Sequence, residues 1–224
     1  MIPHTTVKRA LSGVTVATLA GVALAMAGPI SPAVAQTGCE ARGSRTEEAS
    51  RFARVYSVRR VRDNDAVTRR WYACLYRTGR RVALGEVGPA GMFSDRISPV
   101  RLAGRYVATA EEYTAATGDA LGAVVQVRDL RTRALVSRFQ SPGDPNTYDV
   151  TDLELRANGS VAWIARIVQG TPATTTYEVR TFSAGESQSV VVDSGDAIDT
   201  RSLAVSGRTL YWTHGGAPRS TTLG

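Results

Sequence analysis

Arginines concentrated near the start of the chain are the residues best suited to bind a ligand. Residues 36–81 contain twelve arginines against five acidic residues, whereas residues 82–224 contain thirteen against fifteen. Because guanidinium groups attract anionic groups, this asymmetry predicts a polyanionic partner, namely an anionic envelope polymer, and a nucleic acid is not expected. The predicted contact residues flank a turn-forming Asp-Asn-Asp triplet and are Arg59, Arg60, Arg69 and Arg70.

A structural role for the same cations is the alternative. Arg77, Arg80 and Arg81 surround a second turn at Gly79, one strand length further on and hence at the opposite end of the predicted sheet. The arginines would then be divided between two sheet edges, where charge discourages pairing with strands of other molecules. Lys8 is the only lysine, so the preference for arginine need not reflect selection for bidentate hydrogen bonding.

Residues for metal, nucleophilic or nucleotide chemistry are scarce. The two histidines are His4 and His214, and only His214 lies in the predicted mature domain. One histidine and two cysteines that are expected to pair do not supply an ordinary His/Cys metal site. A Ser-His-Asp triad could use only His214, and the chain lacks a Gly-x-Ser-x-Gly elbow and a Gly-rich phosphate loop. We therefore expect no enzymatic activity, no metal and no cofactor.

Acidic and aromatic residues leave two further chemistries open. Aspartates gather in the connections between predicted strands, where they could bind calcium or serve as the acid and base of a carboxylate-dependent hydrolase. Their spacing does not match an EF-hand loop, and Asp in such connections usually forms turns. These aspartates are Asp95, Asp144, Asp149, Asp152, Asp193, Asp196 and Asp199. Four aromatic residues could line a carbohydrate- or peptide-binding channel or, alternatively, pack between sheets, and they are Tyr106, Trp163, Tyr211 and Trp212.

The elements that must position these residues repeat along the chain. Residues 100–108, 155–163 and 203–212 each read as a short apolar strand, a Gly-centred turn and a second strand that carries an aromatic residue. The turn glycines lie 55 and then 48 residues apart, which is the period of a four-stranded propeller blade. Third strands repeat as well, centred on Cys74, Val127 and Val179.

A family resemblance follows from these strand pairs and from Tyr211-Trp212-Thr213-His214, which is similar to a YWTD signature with His as its last residue. Residues 54–224 resemble secreted bacterial β-propeller repeats of the TolB-like and YWTD-like kinds. The resemblance implies an all-β, propeller-like stack of three to four antiparallel four-stranded units. The first unit would lack its innermost strand, and strands from both termini would share a blade. A β-sandwich or barrel is the alternative fold, and a homo-oligomer is expected only if blades close between chains.

The N-terminal residues predict export. Lys8-Arg9 precede an apolar segment over residues 10–27, and Ala33-Val34-Ala35 supplies the small residues that a signal peptidase requires. Residues 1–35 are therefore expected to be a cleaved Sec signal peptide, and no later segment is apolar and long enough to span a membrane. Because two cysteines in an exported protein usually pair, we also predict a disulfide between Cys39 and Cys74.

The remaining N-terminal segment, residues 36–53, is predicted to contain one short helix, because Ser44-Arg45-Thr46-Glu47 fits a capping box. Residues 54–224 then form the repeat domain. These features predict a secreted, non-enzymatic binding or interaction module of the cell envelope, with an unknown protein or an envelope polymer as its partner.

Overall fold

The computed structural model describes residues 38–61, 67–88, 96–114, 120–140 and 147–224. The expected signal peptide (residues 1–35) lies outside these residues, as does the Asp-Asn-Asp triplet at 63–65. The described residues form strands joined by turns, and none of them belongs to a helix that is long and apolar enough to cross a membrane.

Fifteen strands in the described part of the chain form four antiparallel sheets, each with its strands in chain order. The first sheet contains β1 (Ser44–Ala49), β2 (Ala53–Val61), β3 (Val67–Leu75) and β4 (Arg80–Val87). The second contains β5 (Arg96–Ala103), β6 (Tyr106–Thr114), β7 (Ala120–Asp129) and β8 (Leu135–Gln140). The third contains β9 (Thr147–Leu155), β10 (Val161–Gln169), β11 (Thr174–Phe182) and β12 (Val190–Gly195). The fourth contains β13 (Ala204–Ser206), β14 (Thr209–His214) and β15 (Ala217–Thr222).

Apolar clusters lie between successive sheets, so the sheets stack face to face in chain order. Their largest members are Trp71 and Ile97 between the first and second sheets, Trp163 and Phe182 between the second and third, and Ile164 and Trp212 between the third and fourth. Strand β10 has an unbroken apolar run, Val161 to Ala165, because both of its faces are buried. No buried cluster among the described residues joins the first sheet to the fourth.

The turn glycines have the conformation that the repeat requires. Gly104 and Gly207 occupy the turns after β5 and β13 with φ of 57° and 58°, and Gly159 lies in the turn after β9 with φ of 94°. Because side chains disfavour this left-handed region, glycine marks the turn in each of these three units. The prediction of an all-β fold built from antiparallel units is therefore confirmed, with three sheets of four strands and one of three.

The helix predicted within residues 36–53 is wrong. Ser44 to Ala49 form β1, which pairs with β2 from Ser44 opposite Val58 to Ala49 opposite Arg54. The carboxylate of Glu47 accepts a hydrogen bond from Ser57 Oγ at 2.6 Å. Pairing with a neighbouring strand thus overrides the local capping pattern, because the strand partner lies outside the window in which that pattern is read.

Strand β1 is also a strand that the predicted first unit lacked, so the first sheet has four strands, like the second and the third. The turn after β1 contains Ser50 at the position where the other sheets have glycine. Ser50 Oγ accepts hydrogen bonds from the backbone N–H groups of Phe52 and Ala53, both at 3.2 Å.

The expected sharing of a blade between the termini is wrong, because β13 to β15 pair only with one another among the described strands. No described sheet closes into a barrel, and four stacked sheets exceed the two layers of a sandwich.

Candidate functional site

The four arginines predicted to bind a polyanion do not form one patch. They lie on β2 and β3, where Arg59 is directly opposite Arg69, while Arg60 is opposite Thr68 and Arg70 is opposite Val58. Side chains alternate between the two faces of a strand, so Arg59 and Arg69 share one face and Arg60 and Arg70 share the other. The structure therefore places these cations in pairs on opposite faces of the first sheet.

Three of these arginines make contacts within the first sheet. Arg69 Nη1 donates to Ser57 Oγ at 3.0 Å, and that hydroxyl in turn donates to Glu47. Arg60 Nη2 donates to the Tyr72 hydroxyl at 3.5 Å, and the Arg70 guanidinium lies 5.8 Å from the centre of the Tyr72 ring. These contacts give the three side chains structural roles within the sheet.

The predicted disulfide between Cys39 and Cys74 is confirmed, with the two Cα atoms 5.6 Å apart. Both cysteines are fully buried and form a small cluster with Tyr56 on the outer face of the first sheet. The Arg81 side chain donates to the Glu40 carbonyl oxygen at 2.9 Å and holds the same N-terminal segment. The disulfide therefore fastens the start of the described chain to β3.

A groove of about 980 Å³ lies where turns of the first three sheets meet. Turns that follow odd-numbered strands share one edge of each sheet, because consecutive strands are antiparallel; we call this the turn edge. Four arginines line the groove there, Arg77 and Arg80 from the first sheet and Arg105 and Arg131 from the second. We call this groove the arginine groove. The remaining lining residues are Phe52, Leu75, Thr78, Gly104, Tyr106 and Ala157.

The arginine groove has a positive charge. No acidic residue lines it in the described part of the chain. Among the described residues, buried Asp129 is the acidic residue that contacts the groove arginines. Its carboxylate binds Arg105 Nε at 3.0 Å and accepts a hydrogen bond from the Arg131 backbone N–H at 2.8 Å. The guanidinium groups of Arg77, Arg80 and Arg131 make no ion pair with other described residues.

Part of the groove lining is apolar and aromatic; we call it the floor, and it consists of Phe52, Leu75, Tyr106 and Ala157. Phe52 exposes 46% of its surface, and the Arg51 guanidinium lies 4.6 Å from the centre of its ring. The Tyr106 hydroxyl accepts a hydrogen bond from Arg105 Nη2 at 2.8 Å, which orients both side chains. A Cβ at Gly104 would lie 3.3 Å from the Ala157 side chain, so glycine allows the turns of the second and third sheets to approach closely here. The groove therefore offers apolar surface between cationic groups.

Sequence reasoning missed this site because its cations come from two sheets. It correctly predicted that Arg77 and Arg80 lie at the opposite end of the sheet from the arginines of the β2–β3 hairpin. It did not consider Arg105 and Arg131 as binding residues, because they belong to residues 82–224, whose net charge is negative. A usable signal existed in the alternation of turns. Residues in the turns after β3, β5 and β7 must share an edge if the units repeat with one orientation.

Three of the clustered aspartates make structural contacts with neighbouring residues. Asp149 binds Arg166 at 2.6 Å, and buried Asp152 accepts a hydrogen bond from the Leu203 backbone N–H at 3.0 Å. Asp199 accepts one from the Arg201 backbone N–H at 3.1 Å. Asp95 and Asp144 lie outside the described residues. In the described part of the chain no group of three or more His, Cys, Asp or Glu residues is arranged to hold a metal ion.

The predicted mature domain's histidine joins the third sheet to the fourth. His214 Nδ1 lies 3.0 Å from Asp193 Oδ2, which also accepts a hydrogen bond from Trp212 Nε1 at 2.6 Å. Burial raises the pKa of Asp193, but the hydrogen bonds from Trp212 and His214 together bring the pKa below its ordinary value. On its other side His214 Nε2 packs against Gly195, where a Cβ would lie only 2.9 Å away. The imidazole is thus enclosed between strands.

No protein-family model matches the chain, and no curated protein sequence is significantly similar to it.

Proposed function

We propose that this protein is an exported, non-enzymatic binding module of the cell envelope that holds an anionic polymer in the arginine groove. One observation carries the proposal: four guanidinium groups from the turns of two sheets line one open groove that has no acidic lining residue among the described ones. Such a concave cationic surface attracts polyanions and concentrates their field.

The groove is a better candidate than the β2–β3 hairpin. Arg59, Arg60, Arg69 and Arg70 are divided between two faces, and three of them contact Ser57 or Tyr72. In the groove, by contrast, Arg77, Arg80 and Arg131 keep their charges available to a ligand, since Asp129 is already bound to Arg105.

A propeller-like arrangement of the sheets belongs to the same proposal. The first strands of successive sheets contact one another, β1 with β5, β5 with β9 and β9 with β13. Inner strands of propeller blades meet in this way around an axis, and the shared orientation brings the turns to one edge. The Cys39–Cys74 disulfide is compatible with an extracellular location and supports export.

The experiment compares two variants that each lose three positive charges. We expect the wild-type protein to be retained on immobilised polygalacturonate at low salt, and Arg77→Gln/Arg80→Gln/Arg131→Gln to lose most of that retention. The slope of log K against log salt should fall by about two, by analogy with the loss of about 0.7–0.9 per phosphate contact on nucleic acids.

The matched control changes three arginines of the first sheet, as Arg59→Gln/Arg60→Gln/Arg70→Gln, and should keep its retention. Equal losses in the two variants would mean that net charge alone governs binding. Failure of the wild-type protein to bind polygalacturonate and polyphosphate at low salt would reject the proposal.

A further inference from the structure

We propose that the polymer held in the arginine groove is an acidic polysaccharide; this inference rests on the proposed function and specifies its ligand. A site that bound its ligand through charge alone would need only cationic side chains, but this groove also has exposed apolar surface. Phe52, with 46% of its surface exposed, lies beside Leu75 and Tyr106 on the groove floor. Exposing such surface to water is unfavourable, and a ligand with apolar faces would cover it.

The positions of the floor and the cations match the two sides of a sugar acid. A pyranose ring has C–H groups on its faces, which pack on aromatic and aliphatic side chains, and a carboxylate at its rim, which suits guanidinium groups. Phe52 and Tyr106 line the same groove as the four arginines, so apolar and cationic groups can contact one ligand chain. Thr78 also lines the groove, and its hydroxyl, which accepts a hydrogen bond from the Arg80 backbone N–H at 3.3 Å, can donate one to a sugar oxygen.

Two aromatic rings in the groove are held by neighbouring cations. Arg51 lies 4.6 Å from the centre of the Phe52 ring, and Arg105 lies 5.0 Å from that of Tyr106. Each ring therefore has a guanidinium over one face, which fixes its orientation by a cation–π contact. The Tyr106 ring also packs against Gly159, so the exposed surface of Phe52 is the aromatic surface against which a ligand chain can pack while its anionic groups reach the surrounding arginines.

Other polyanions fit this combination less well. Polyphosphate has no apolar face with which to cover the floor. A flat anionic bilayer would span the rim of a concave groove of about 980 Å³ without reaching its base. Single-stranded nucleic acid uses aromatic stacking together with cations and is the closest competitor, so it is included as an outcome of the test.

The test measures binding of the intact mature protein to polygalacturonate, polyphosphate and oligo(dT) by calorimetry at one ionic strength, and to phosphatidylglycerol vesicles by sedimentation. Phe52→Ala should weaken polygalacturonate binding about three- to tenfold, as expected for one aromatic contact, and leave polyphosphate binding unchanged. Phe52→Leu keeps apolar volume without the ring and should give an intermediate loss. Tyr211→Ala is the matched control, because Tyr211 is 43% exposed on the fourth sheet, away from the groove. It should bind like wild type.

Each outcome supports or overturns a stated part of the inference. If Phe52→Ala and Phe52→Leu bind polygalacturonate as wild type does, while the triple arginine variant does not bind, the polysaccharide inference fails and the proposed function stands. Tighter, Phe52-dependent binding of oligo(dT) or of the vesicles would assign the groove to nucleic acid or to a membrane instead. If the triple arginine variant binds every probe like wild type, the proposed function itself fails.

Discussion

Breaking the Cys39–Cys74 disulfide should destabilise the fold strongly. The two cysteines are 35 residues apart, and for a closed loop of that length the chain-entropy model predicts a loss of about 4 kcal/mol from the free energy of unfolding. The bond joins the segment before β1 to β3, and its two cysteines are buried against Tyr56, which is 1% exposed. For a domain of this size the loss corresponds to a decrease in Tm of about 8–16 °C.

The assay is urea unfolding of the mature protein with and without dithiothreitol. Reduction of the wild-type protein breaks the S–S bond and removes no side-chain atom. The shift of the urea midpoint on reduction therefore reports how strongly the disulfide constrains the unfolded chain. Cys39→Ala/Cys74→Ala should start at the lower stability and should not respond to dithiothreitol. A loss of less than about 1 kcal/mol on complete reduction would refute the reasoning, because it would mean that the unfolded chain gains little freedom when the loop opens.

Two further predictions concern the contacts that hold the fourth sheet. Arg156→Gln should lower the free energy of unfolding by about 1.5–3 kcal/mol, because Arg156 donates to the Gly207 and Leu223 carbonyl oxygens at 2.9 Å and 2.6 Å; an unchanged urea midpoint would contradict it. The pKa of Asp193 is lowered in the folded protein. The ionised Asp193 therefore adds to the free energy of unfolding above the ordinary carboxyl pKa, and this stabilisation is lost as the pH falls through the lowered pKa. Unfolding midpoints of Asp193→Asn should therefore depend less on pH than those of wild type below about pH 5, and parallel profiles would refute this.

Much of the fold was accessible from local patterns. Gly104, Gly159 and Gly207 mark turns whose positive φ angles favour glycine, and alternating or continuous apolar runs identify strands. The first strand of the first unit escaped notice because Ser50, and not glycine, makes the turn that follows it, through its hydroxyl. Ser50 lies 54 residues before Gly104, so the period alone would have revealed it.

The candidate site was less predictable than the fold. Clustering of arginine in the sequence pointed to Arg59, Arg60, Arg69 and Arg70, but alternation along paired strands sends neighbouring side chains to opposite faces. In the groove, Arg80 and Arg131 are far apart in the chain and close in space. Proximity of that kind depends on how one sheet packs against the next, which local composition does not report.

The amino-acid sequence by itself determined most of the turns and strands after residue 53 and which cysteines pair, because these depend on backbone preferences, on side-chain periodicity and on there being two cysteines. Tertiary structure alone decided that residues 44–49 form a strand, that the sheets stack in chain order without a described core between the first and the last, and that arginines from two sheets share one groove. These outcomes depend on hydrogen bonds and apolar contacts between residues distant in the chain, and such contacts exist only once the sheets have packed.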